Sequence, residues 1–127
     1  MGRLENRAET AMPTILCIDD EPNLLLTRKL LLESKGYQVI EAGTGEEGLR
    51  LFQSNRIDLV VVDYWMAGMN GLAVSREIKR INSTVPIIVL SGLAELPGEV
   101  VGIADRWILK GRSTRDLLDA IETLVKP

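Results

Sequence analysis

Four polar clusters stand directly after apolar runs in this chain, and their residue types suit one kind of chemistry. Asp19-Asp20-Glu21 follows Thr14–Ile18, Asp63 follows Asp58–Val62, Ser91-Gly92 follows Pro86–Leu90, and Lys110-Gly111 follows Arg106–Leu109. Three carboxylates drawn together repel one another, and a hard divalent cation held by oxygen removes that cost. Mg²⁺ is the natural candidate, because it accepts a few carboxylate and carbonyl oxygens and keeps waters that a phosphate can displace. A lysine and a hydroxyl opposite the carboxylates supply a cation and a hydrogen-bond donor for an anion. Such a set suits a phosphoryl group carried on an aspartate.

The elements that must position these residues are legible. The apolar runs, with Gln38–Ile40 as a fifth, are nearly continuous, as strands are when a parallel sheet is covered on both faces. Between them, Leu24, Leu25, Leu31 and Leu32 form a helical stripe with Pro22 in the first turn and Gly36 as the stop. Thr44 followed by Glu47 has capping-box form, with Leu49 and Phe52 facing inward. Further helices are expected from about Leu72 to Ile81 and from near Ser113 through Leu124. Pro97-Gly98 interrupts the stretch from Leu93 to Ala104, where a short or irregular helix is expected. Alternating strands and helices joined by right-handed crossovers give a three-layer α/β domain. In such a sheet ligands gather at the carboxyl ends of the strands, where all four clusters fall.

Composition narrows the function. The 127 residues make one domain, with 15 Lys and Arg against 18 Asp and Glu, so the net charge of −3 gives no reason to expect nucleic acid or an anionic membrane as a partner. The absence of histidine excludes a Ser-His-Asp triad, a His-ligated metal and a phosphohistidine carrier. The single cysteine, Cys17, forms no intramolecular disulfide and reads as an inert core residue. Residues 1–12 are polar, with no signal or anchor pattern, and are expected to be a flexible extension of a cytoplasmic protein.

A lone strand-end carboxylate is commonly a cap or turn residue. It is the joint placement of Asp19, Asp20, Asp63, Ser91 and Lys110 that carries weight. From Thr14 to about Val125 the chain resembles the receiver domain of two-component response regulators. The matching pieces are Ile18-Asp19-Asp20-Glu21-Pro22, Gly36-Tyr37, Asp58 to Asp63, Met66, Gly68-Met69-Asn70-Gly71, Pro86 to Ser91, and Lys110. The resemblance implies a flavodoxin-like (βα)5 domain over residues 13–127, with strand order 2-1-3-4-5. It also implies Asp63 as phosphoacceptor, and Mg²⁺ held by Asp20, Asp63 and the backbone carbonyl of Trp65, with Asp19 assisting through water. Ser91 would bond a phosphoryl oxygen in the active state, and Lys110 would pair with the phosphoryl group. Trp107 stands at the family's aromatic switch position, where static packing is an equal reading.

The phosphodonor would then be a histidine kinase or a histidine phosphotransfer protein, since the chain has no histidine of its own. The resemblance implies a signalling switch, catalysing only its own phosphorylation and dephosphorylation, with homodimerisation or output contact through the face that includes the interrupted helix expected between Leu93 and Ala104. An output module is expected elsewhere, and its identity is open. Two other readings compete. One is an atypical receiver serving as a phosphorylation-independent interaction module. The other is an aspartyl phosphohydrolase of haloacid-dehalogenase type, whose Asp-x-Asp pattern is absent, since Glu21 and Trp65 stand two residues after Asp19 and Asp63.

Departures from the family pattern bear on mechanism. Ala67 and Gly111 stand where prolines are usual, and Ser91 and Lys110 lie 19 positions apart, a short spacing. The family's Lys-Pro bond is typically cis, but a cis bond before a non-proline residue costs about 3 kcal/mol. Lys110-Gly111 is therefore either trans in a rearranged loop or strained. Trp65 and Leu93, each two residues beyond a site residue, flank the path of an attacking water and are expected to slow hydrolysis of the phosphorylated form.

Overall fold

The computed structural model describes residues 12–92, 102–111 and 114–125. Five strands, β1 (Thr14–Ile18), β2 (Gln38–Ala42), β3 (Leu59–Asp63), β4 (Ile87–Ser91) and β5 (Arg106–Leu109), form one parallel sheet. Their order is β2-β1-β3-β4-β5, as the resemblance implies. Four described helices connect them: α1 (Pro22–Ser34), α2 (Gly45–Ser54), α3 (Gly71–Ile81) and α4 (Thr114–Leu124). Residues 93–101 of the interrupted stretch from Leu93 to Ala104, and residues 1–11 of the expected 1–12 extension, lie outside the described residues. Among the described residues no helix is long and apolar enough to cross a membrane.

Successive strand residues feed two cores, because side chains alternate across a sheet. Leu16, Ile18, Val60, Val62, Ile87 and Val89 pack with Phe52 of α2 and with Leu72, Val74 and Ile78 of α3. Ile15, Cys17, Leu59, Val61, Ile88 and Leu90 face the other way, onto Leu25 and Leu32 of α1 and Leu117 and Ile121 of α4. Every residue of β3 is buried, which explains an apolar run with no polar alternation. Burial also pushes the Cys17 thiol up to about 12, so it stays a protonated core residue.

The helix ends follow local rules. Thr44 Oγ1 accepts from the Glu47 N–H at 3.0 Å, while the Glu47 carboxylate accepts from the Gly43 N–H at 2.8 Å, one residue before the partner a capping box uses. Gly36, at φ +97°, reverses the chain after α1, and the Tyr37 N–H bonds back to the Leu32 carbonyl. Gly71 opens α3 against the end of β3. A Cβ there would lie 2.5 Å from the Asp63 carbonyl oxygen and 2.8 Å from Tyr64 Cα. Since those neighbours are backbone, they can yield only by displacing the strand end.

Gly71→Ala should therefore cost about 2 kcal/mol or more in urea unfolding followed by circular dichroism. Gly92→Ala, where a Cβ would meet nothing within 4 Å, should change stability by less than about 1 kcal/mol.

Candidate functional site

The alternation that builds the cores also aims the acids. Asp19 continues the Ile15, Cys17 series beyond β1, and Asp63 ends the Leu59, Val61 series of β3, so both fall on the face covered by α1 and α4. Both are buried, whereas Asp20 is exposed. One carboxylate oxygen from each of Asp19, Asp20 and Asp63 can be chosen so that all lie within 4.8 Å of one another. Ser91, also buried, ends β4, and its carbonyl accepts from the Lys110 N–H, which joins the ends of β4 and β5. The expected cluster is thus assembled from the ends of four strands, β1, β3, β4 and β5, at one edge of the sheet.

Each acid is held differently. Asp63 Oδ2 accepts from Lys110 Nζ at 3.0 Å, and the ammonium also lies 3.5 Å from Asp19 Oδ2. Asp63 Oδ1 is buried and has no hydrogen-bond partner. Asp19 Oδ1 accepts from the Glu21 N–H at 3.0 Å, and its Oδ2 accepts from Arg28 Nη1 at 2.8 Å. Asp20 Oδ2 accepts from the Ala67 N–H at 3.2 Å, which ties the β1 loop to the β3 loop. Beside that loop Trp65 is 58% exposed, stacked edge-on against Tyr64.

Arg28 was not legible as a site residue. It lies three residues after Leu25 and four before Leu32, on the inward seam of α1, and its side chain is only 11% exposed. A basic residue inside an apolar i, i+3, i+7 series was the available signal, since a cation there must find a buried acid. Lys110-Gly111 is trans, because the described residues contain no cis peptide bond, and Gly111 sits at φ +86°. Proline cannot adopt that φ, so this loop takes a path that a Lys-Pro loop could not. Trp107 is half-buried against the α2–α3 core, and its indole N–H has no partner. Leu93 lies outside the described residues.

With this geometry established, comparison with known proteins is direct. The family model of the response regulator receiver domain matches residues 15–122. The chain belongs to this family. A probable transcriptional regulator of Cyanidium caldarium, ycf27, is 33% identical over 98% of this chain and 51% of its own length. This receiver domain therefore spans about half the length of that relative. Among solved structures, the Thermotoga maritima response regulator TrrA in complex with Mg(2+)-BeF is 33% identical, covers 89% of this chain and 99% of its own, and has a TM-score of 0.84. TrrA in complex with the histidine kinase ThkA is similar at 32% identity, with coverage of 91% and 100% and a TM-score of 0.84. The chain is thus a receiver domain of two-component response regulators, a domain regulatory in kind.

Burial is the largest influence on the Asp63 carboxyl and pushes its pKa up. The Lys110 hydrogen bond pulls it down, the charge of Asp19 pushes it up, and the net direction is upward. An acid whose pKa is higher in the folded state favours folding while protonated, and that contribution is lost as pH rises through the folded value. In the presence of a chelator, Asp63→Asn should melt a few degrees above wild type at neutral pH. The advantage should close below the ordinary aspartate range, about pH 4, in paired thermal melts across pH.

Proposed function

We propose that the chain is a phosphoacceptor switch in which Asp63 receives a phosphoryl group from the phosphohistidine of a histidine kinase or histidine phosphotransfer protein. The observation that carries this reading is the Asp63 carboxylate itself. One oxygen is fixed by Lys110 while the other is buried, unpartnered and beside two further carboxylates. An unpartnered buried acceptor is costly unless something fills the place, and a cation or a phosphorus electrophile would do so.

The residues present fit Mg²⁺, since three carboxylates converge with one oxygen unclaimed and all donors are hard oxygens. Asp20, Asp63 and the Trp65 carbonyl would hold the ion, with Asp19 acting through water. When bound, the ion supplies charge neutralisation for the transferring oxygens. Asp63 attacks phosphorus in line, an O–P bond forms as the P–N bond to the donor imidazole breaks, and the electron pair leaves with that imidazole. Lys110, already on Oδ2, is placed to meet the transferring oxygens. Ser91, buried at the end of β4, is the hydroxyl assigned to the phosphoryl oxygen in the active state.

Inward Trp107 lacks a partner for its N–H, which supports a switch role, because a second rotamer that satisfied this donor would compete with the packed one. The TrrA–ThkA complex supports a histidine kinase as donor, and relatives named as transcriptional regulators support an output on transcription exerted outside this domain. We assign the receiver domain to residues 13–127 and its action to the cytoplasm, with a homodimer or output contact as the readout. The full set of acids with Lys110 supports this reading over a phosphorylation-independent module.

Incubation with Mg²⁺ and acetyl phosphate should add one phosphoryl group by intact mass, lost in Asp63→Asn and on chelation. Absence of modification at saturating donor would instead favour the phosphorylation-independent module. Lys110→Ala should slow phosphorylation by about 100-fold. Trp65→Ser should shorten the lifetime of the phosphorylated form, as followed by mass over time; an unchanged lifetime would remove Trp65 as the barrier to water.

A further inference from the structure

The metal-free acid cluster already carries two cations. Lys110 serves Asp63, and Arg28 serves Asp19 from the buried seam of α1, where its neighbours one turn away are Leu25 and Leu32. Asp19 is fully buried, with Oδ1 fixed by the Glu21 N–H, and the oxygen that Arg28 takes, Oδ2, is the one that also lies 3.5 Å from Lys110 Nζ. A buried carboxylate must be paired to be tolerated, and Arg28 meets that need when no metal is present. The same pairing opposes a divalent ion, because it puts a positive charge on a carboxylate that the ion would otherwise draw on. The guanidinium also has room to leave. Arg28 and Lys110 border a cavity of about 170 Å³ between α1 and α4, walled by Leu24, Leu31 and Leu117 and lined also by Gly111.

We propose that Arg28 is a resident counter-cation of the Mg²⁺ site, holding Asp19 in the metal-free protein and yielding part of it when the ion enters. Arg28 thereby makes the metal-free site tolerable and raises the Mg²⁺ concentration at which the switch becomes competent. Lys110 cannot take over this task, since its shorter contact is with Asp63. Arg28 is a positioning residue that acts through Asp19. The inference rests on the assignment of Mg²⁺ to this cluster.

The test is a Mg²⁺ titration of the full chain at fixed ionic strength, read by calorimetry and by tryptophan fluorescence, with thermal melts alongside. Arg28→Met keeps an unbranched stem and removes the charge. It should bind Mg²⁺ about tenfold more tightly than wild type. It should also melt lower without metal, and gain more from saturating Mg²⁺ than wild type does. Arg28→Lys, which keeps the charge, should lie closer to wild type than to Arg28→Met in affinity. Equal or weaker Mg²⁺ binding by Arg28→Met would overturn the proposal while leaving the metal assignment intact. No Mg²⁺ binding by wild type would overturn both. If Arg28→Met does not fold in either condition, nitrogen NMR of the wild-type guanidinium decides. The Arg28 signal should shift and lose its exchange protection as Mg²⁺ saturates, and an unmoved signal would overturn the proposal.

Discussion

The burial of Asp19 and Asp63 side by side is the constraint on which the rest of the site depends. Two carboxylates removed from water and set close together cannot both stay ionised without compensation, and each has its own. Lys110 reaches Asp63 from the end of β5, and Arg28 reaches Asp19 from α1. Asp20 stays at the surface, bonded to the Ala67 N–H. The cluster is left one charge short of neutrality and with one acceptor, Asp63 Oδ1, unclaimed. The proposed reactivity toward an electrophile and the proposed affinity for a hard cation both rest on that same deficit.

The sheet supplies this arrangement through its order. With β3 central and β1 between it and β2, the loops after β1 and β3 are neighbours, and the crossover to β4 and β5 brings Ser91 and Lys110 to the same edge. The two-residue alternation then decides which face each acid takes. Asp19 and Asp63 lie on the α1–α4 side, the side from which Arg28 approaches. Close approach at Gly71 seats the start of α3 against the backbone of Asp63 and Tyr64, so the strand end that carries Asp63 is braced by packing as well as by its ladder.

Signalling through such a site needs two arrangements of nearly equal energy. Trp107, with an indole N–H that finds no partner in its packed position, and Gly111, at a φ closed to proline, mark the edge of β5 as the place where the fold has given up local optimisation. Gly111 directly follows Lys110, whose ammonium contacts Asp63.

The sequence by itself determined the five strands, their covering helices and the strand-end positions of Asp19, Asp20, Asp63, Ser91 and Lys110. Those depend on hydrophobic periodicity and on punctuation by residues such as Pro22 and Gly36, which are local properties. It left the state of the Lys110-Gly111 bond and the role of Trp107 open, because a peptide isomer and a rotamer depend on what packs around them. It concealed Arg28 altogether. A basic residue on a helix reads as a solvated charge until the helix is docked, and only the tertiary structure decided that position 28 faces inward beneath Asp19, where a buried carboxylate partners it in an apolar seam.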